Sequence, residues 1–172
     1  MFQHTLDKGQ YCGKLIYLHS TGNKYLDCEC KDDKLIKINS LYDSKGRNCL
    51  LDEGNITVWK LCKVGGIQYV YVKLSIPYSA KRVNPINVRK FRSYYDSFSY
   101  KSRVEYAKVE LIVDINGKEY QECHSFMGKG KQLVYKLNET VYPDGFNDNI
   151  NNEDGQGIYV QKFQDQCDQW RT

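Results

Sequence analysis

Apolar and polar residues alternate along most of this chain, in short runs separated by Gly, Asn, Asp and Ser. Alternation puts every second side chain on one face of an extended segment, so it predicts half-buried β-strands. Ile56-Thr57-Val58-Trp59-Lys60-Leu61-Cys62 reads this way, and Lys63-Val64-Gly65-Gly66 follows as a hairpin signal. The return strand covers residues 67–76, with Val70, Val72, Leu74 and Ile76 on one face and Tyr69, Tyr71 and Lys73 on the other. Pro77 ends it, because proline has no amide proton to give to a ladder. Residues 104–115 alternate again, with Val109, Leu111, Val113 and Ile115 facing one way and Lys108, Glu110 and Asp114 the other. Asn116-Gly117 then supplies the strongest turn signal in the sequence.

A strand–turn–strand–turn–strand pattern occurs twice, over residues 15–39 and 111–138. Aligning the copies places Tyr25 on Tyr120, Cys28 on Cys123, and Lys37-Ile38-Asn39 on Lys136-Leu137-Asn138. The expected fold is therefore mainly β. It is an antiparallel β-sandwich or strongly curved sheet built from duplicated three-stranded meanders.

One helix is expected near 85–99. Asn84-Pro85 suits a cap and first turn, and Val88, Phe91, Tyr95 and Phe98 recur at helical spacing. Residues 142–157 read as a polar loop that holds Asp144, Asp148, Glu153 and Asp154 and no basic residue. Residues 158–163 suit a last strand returning to the sheet, with Cys167 and Trp170 pinning the terminus. The length of 172 residues fits a single β-rich domain over 1–172.

Composition places the chain among globular proteins, at 41% hydrophobic and 27% charged residues. A net charge of +4 is too small to imply a nucleic-acid partner by itself. Tyrosine outnumbers phenylalanine 15 to 6, which suits half-exposed sheet faces and contact surfaces. No apolar run reaches membrane-spanning length, and the segment from Met1 to Asp7 lacks the apolar core of a signal peptide.

Seven cysteines (Cys12, Cys28, Cys30, Cys49, Cys62, Cys123 and Cys167) change the picture more. That density is usual in secreted proteins, so structural disulfides and an extracellular location are expected, with Met1 replacing a removed leader. An odd count leaves one thiol for an intermolecular bridge and a disulfide dimer. The sequons Asn55-Ile56-Thr57 and Asn138-Glu139-Thr140 agree with secretion. A native start at Met1 would instead place the chain inside the cell.

The candidate binding chemistry is a basic patch of Lys81, Arg82, Arg89, Lys90, Arg92, Lys101 and Arg103, interleaved with tyrosines. Cations neutralise phosphates and tyrosines stack on bases, although a solvated charged face is the commoner origin of such a run. Tyr69, Tyr71, Tyr94 and Tyr95 form the aromatic part of the candidate contact surface. Cys28 and Cys30 share a strand face, but a spacer of one is shorter than metal-binding pairs use, so no metal is expected.

His4, His19 and His124 are scattered, and no catalytic, phosphate-cradling or dinucleotide motif is present. Neither a catalytic residue nor a cofactor is expected. The function expected is a small, cysteine-rich, secreted binding protein without catalytic activity that contacts a protein or glycan partner. One alternative is a nucleic-acid-binding or ribonuclease-like protein, with His19 or His124 as acid or base. Another is a structural subunit of an assembly, joined through a free sheet edge or the odd cysteine.

Overall fold

The computed structural model describes residues 3–7, 10–18, 24–86, 101–126 and 132–171. The strands are β1 (Gln3–Asp7), β2 (Gln10–Leu18), β3 (Lys24–Lys31), β4 (Lys34–Leu41), β5 (Ile56–Val64), β6 (Gln68–Ile76), β7 (Arg82–Val83), β8 (Ser102–Val104), β9 (Ala107–Val113), β10 (Glu122–His124), β11 (Val134–Lys136), β12 (Thr140–Val141) and β13 (Ile158–Val160). A 3-10 helix spans Gln164–Trp170. Every strand pairing is antiparallel, as the alternation implies. From residue 87 onward, the helix expected near 85–99 lies outside the described residues.

The chain divides into two compact units: residues 1–50, 84–100 and 149–155 form the first, and 51–83, 101–148 and 156–172 the second.

In the first unit β1-β2-β3-β4 form a four-stranded meander that contains the first copy of the repeat. Its core holds Leu15, Tyr17, Tyr25, Leu26, Cys28, Cys30, Leu35, Leu41, Cys49 and Ile86. The middle of the polar loop packs onto this unit. The Asn151 side chain accepts from Leu35 N at 2.6 Å and donates to Leu35 O at 3.0 Å, so it imitates one rung of a sheet. Ile150 packs against the core, and its carbonyl accepts from Ile86 N at 2.9 Å.

The second unit holds a six-stranded sheet, β11-β10-β5-β6-β9-β12, and a three-stranded sheet, β13-β8-β7. Its centre is the β5–β6 hairpin, paired without a break from Ile56↔Ile76 to Val64↔Gln68. Val58, Cys62, Val70, Val72, Leu74 and Ile76 are wholly buried on one face. Each aliphatic side chain so buried contributes about 1.5–3 kcal/mol. On the opposite face Trp59, Leu61, Tyr69, Tyr71 and Val113 pack with Phe126, Cys167 and Trp170, so the 3-10 helix closes that side.

The second copy of the repeat folds differently from the first. β9 pairs with β6 and β12, and β10 with β5 and β11, so the long β5–β6 hairpin lies between two strands that a meander would place side by side. Beyond the Asn116-Gly117 turn the two arms meet in the isolated bridge Val113↔Glu119 and not in a continued ladder. The nine-residue apolar strands of the hairpin offer longer edges than the three-residue β10, and β9 takes the better partner.

A bulge also overturns the alternation expected in β9. Lys73 lies opposite Leu111 and Leu74 opposite Val109, which leaves Glu110 unmatched. Val109 and Ile112 therefore share the core face, Leu111 and Val113 are half-buried, and Ile115 is 65% exposed in the turn. The last strand is shorter than expected and joins the other sheet: β13 pairs with β8, and the isolated bridge Trp59↔Gln161 links this segment to β5.

All seven cysteines are free thiols, which corrects the disulfide framework expected from their number. Six are buried and behave as small apolar residues, while Cys12 keeps partial exposure.

Candidate functional site

The described part of the basic patch is largely engaged with the protein's own backbone. Arg82 donates to Asp52 O at 2.7 Å, Pro77 O at 2.9 Å and Ala80 O at 3.4 Å. Arg103 is wholly buried and donates to Asn147 O at 2.8 Å. Gly157 exists to admit that side chain: a Cβ there would lie 2.4 Å from Arg103 Cγ. Lys101 Nζ sits 5.0 Å from the Tyr159 ring centre. Lys81 is exposed. Arg89, Lys90, Arg92, Tyr94 and Tyr95 lie outside the described residues.

The tyrosine face is covered as well. Tyr71 is 2% exposed, and its hydroxyl donates to Asp168 Oδ1 at 2.5 Å. Arg171 donates to the same hydroxyl and pairs with Asp168 Oδ1 at 3.0 Å. Burial and the Asp168 carboxylate push the Tyr71 pKa up to about 12. This triangle anchors the C-terminal segment, so Tyr71 is a fastening and not a contact residue. Among the described residues the most exposed tyrosines are others: Tyr78 is 76% exposed, and Tyr142, at 66%, stacks on Tyr106 with ring centres 5.4 Å apart.

Tyr69 remains half-buried and leads to the feature that the sequence did not reveal. Phe126 meets its ring edge-on, with centres 5.4 Å apart. The Lys63 ammonium stands 4.4 Å from the Tyr69 centroid and 4.9 Å from that of Phe126. Two aromatic faces hold this cation in place. Lys63 and His124 are direct cross-strand partners of β5 and β10, so their side chains project from the same face.

With Gly65, Gly66, Ser125 and Gln132 these residues line an open groove of about 680 Å³. Ser125 is fixed by the main chain, with its hydroxyl accepting from Leu133 N at 2.9 Å. On the rim Glu122 lies 3.7 Å from His124 Nε2 and 3.8 Å from Lys136 Nζ. Among the described residues no carboxylate lies within ion-pair distance of Lys63.

A second group of polar side chains is enclosed in the same unit. The Lys60 amine donates to Tyr159 O at 3.0 Å. The residue keeps partial exposure, while burial of the amine pushes its pKa below the ordinary 10.5, partly offset by the thiols of Cys62, Cys167 and Cys123. Cys123 is raised by its hydrogen bond to Cys62 and by burial. Burial lifts Cys167 to about 12 against the pull of Lys60. Tyr135 is raised by burial, and its hydroxyl has no hydrogen-bond partner among the described residues. Thiols held protonated and out of solvent are poor nucleophiles, so Cys123 and Cys167 serve the core.

Among the described residues no three His, Cys, Asp or Glu side chains converge as a metal site would require. Nor is any described helix long and apolar enough to cross a membrane.

No curated protein and no solved structure matches the chain. A family of unknown function, DUF5758, matches residues 47–167. That span takes in every strand from β5 to β13, and with them the Lys63 groove and the Lys60 cluster, while β1–β4 precede it. It covers well over half of the 172 residues, and the chain belongs to the DUF5758 family.

Proposed function

We propose that the protein is a non-enzymatic interaction module whose groove between β5 and β10 takes an acidic segment of a protein partner. The observation that carries this reading is Lys63. Its charge is oriented by two aromatic rings and met by no described carboxylate, which leaves it available for an anion from outside. His124 and Gln132 add donors beside it, Phe126 adds an apolar wall, and the volume of about 680 Å³ lies in the range of ligand pockets.

A peptide carboxylate next to an apolar side chain matches that lining better than a polynucleotide does. A polyanion needs a run of available cations, and Arg82 and Arg103 are occupied by carbonyl groups. The test is titration with a short acidic peptide carrying phenylalanine, followed residue by residue, on the parent chain and on Lys63→Gln. Stronger displacement of the same signals by a single-stranded oligonucleotide would replace this reading with the nucleic-acid one.

A further inference from the structure

The first unit carries a pair of thiols that the interaction reading leaves unused. Cys28 and Cys30 point to the same face of β3, and their sulfurs lie 4.0 Å apart. The neighbouring strand is irregular here: Asn39 and Ile36 of β4 have no partner on β3, one on each side of the Cys28-Glu29 pairing, while β3 keeps even register with β2 from Leu26 to Cys30. Bulges of this kind increase the local twist of a ladder. In an extended strand, residues two apart are separated by about the upper limit that a disulfide tolerates, and the sulfur separation of 4.0 Å leaves this pair a short closure from bonding geometry.

The geometry points to a reversible dithiol–disulfide site at Cys28 and Cys30, oxidised by exchange with a low-molecular-weight disulfide. The Cys30 thiolate attacks one sulfur of the small disulfide. A Cys30–sulfur bond forms, the small disulfide bond breaks, and one small thiolate leaves and takes up the proton that Cys30 released. Cys28 then attacks the Cys30 sulfur. The Cys28–Cys30 bond forms, the mixed disulfide breaks, and a second small thiolate leaves with the Cys28 proton. Two protein thiols are oxidised and one small disulfide is reduced to two thiols.

Position and charge both assign the order of attack. Cys30 lies next to the tip of the β3–β4 hairpin, whose turn residues Asp32 and Asp33 have φ of 51° and 61°. Opening of that tip exposes Cys30 before Cys28, which is wholly buried. The hydrogen bond between the two thiols holds Cys30 below its ordinary pKa, against burial, and together with burial it raises Cys28. Of the two thiols that share this contact, Cys30 is therefore the readier to ionise.

The experiment is oxidation of the folded full chain with oxidised glutathione, acid quenching, alkylation of the remaining thiols and peptide mapping by mass spectrometry. The expected product is a Cys28–Cys30 disulfide that reduced glutathione reverses. In Cys28→Ser, whose hydroxyl can donate to Cys30, glutathione should accumulate on Cys30. It should do so about tenfold faster than on Cys28 in Cys30→Ser. The half-exposed Cys12 reports that the oxidant is active. If Cys28 and Cys30 are still alkylated as free thiols when Cys12 carries glutathione, the site does not exist. A disulfide that forms only after the near-ultraviolet circular dichroism is lost would also overturn it.

Discussion

Asp43 and Asp114 build the same five-residue turn, one in each unit. In Asp43-Ser44-Lys45-Gly46-Arg47 the buried carboxylate accepts from Lys45 N at 3.0 Å and Arg47 N at 2.9 Å. In Asp114-Ile115-Asn116-Gly117-Lys118 it accepts from Asn116 N at 2.9 Å and Lys118 N at 3.0 Å. The main-chain bonds repeat too: each Asp N donates to the fifth residue's carbonyl at 3.0 Å, and each Gly N to the Asp carbonyl. Gly46 and Gly117 stand at φ of 75° and 82°, where another residue would cost about 1–2 kcal/mol.

Removing either carboxylate should loosen its own turn. Asp43→Ala leaves two amides and the Arg47 guanidinium without their acceptor, which should cost about 2 kcal/mol in urea unfolding. At Asp114, burial works against ionisation. The amides of Lys118 and Asn116 and the Tyr120 hydroxyl more than offset it, so the pKa lies below the ordinary 3.8. A depressed carboxylate stabilises the fold above its unfolded pKa and loses that effect as pH falls through the folded pKa. Asp114→Asn should therefore lower stability at pH 7 and flatten its decline in acid. Equal acid slopes for variant and parent would count against this role.

Lys60 makes a prediction of opposite sign. Its amine has no carboxylate beside it among the described residues, and burial depresses its pKa below 10.5. Between the folded pKa and 10.5 the unfolded chain binds the extra proton, so stability due to this group rises with pH. Lys60→Met should stabilise the protein at neutral pH, and the gain should shrink as pH approaches 10.5. The difference in denaturation midpoint between the two chains, followed across pH, checks it. A destabilised Met variant at neutral pH would mean that the bond to Tyr159 O outweighs the buried amine.

Tyr71 fastens the C-terminal segment. Tyr71→Phe keeps the ring but removes the hydroxyl shared by Asp168 and Arg171, and should cost about 1–2 kcal/mol. Amide exchange over Gln164–Trp170 should speed up more than exchange in β5. With its pKa raised to about 12 from 10.0, Tyr71 contributes fully below pH 10. That contribution is lost as pH rises through 12, because the unfolded chain gives up the proton first. In the Phe variant this alkaline loss should be weaker.

Much of the architecture could be read from period and turn chemistry. The apolar face of β6 and the Gly65-Gly66 turn follow from local sequence, and so does the antiparallel class. Three kinds of error remain. The bulge at Glu110 shifts the face of Ile112 by one residue, and alternation alone carries no sign of it. The order of β9 and β10 depends on competition for the edges of a hairpin formed elsewhere. The cysteine count implied bonds that the free thiols do not make.

The site was less legible than the fold. Lys63 lies on β5, His124 on the distant β10 and Phe126 two residues beyond it, and no local motif joins them. The basic run promised a surface, yet Arg103 points into the core, and only its neighbour Gly157, too cramped for a side chain, reflects that burial. The aspartate turns were the readable signal that was missed: both keep Asp and Gly three apart, followed by a basic residue.

The most direct measurement is a two-dimensional amide NMR titration of the full chain with an acetylated peptide of alternating glutamate and phenylalanine. The account predicts saturable shifts at Lys63, Gly65, Gly66, His124 and Phe126, weakened by added salt and lost in Lys63→Gln, which stays folded. Shifts that map elsewhere, or that persist unchanged in Lys63→Gln, would contradict it.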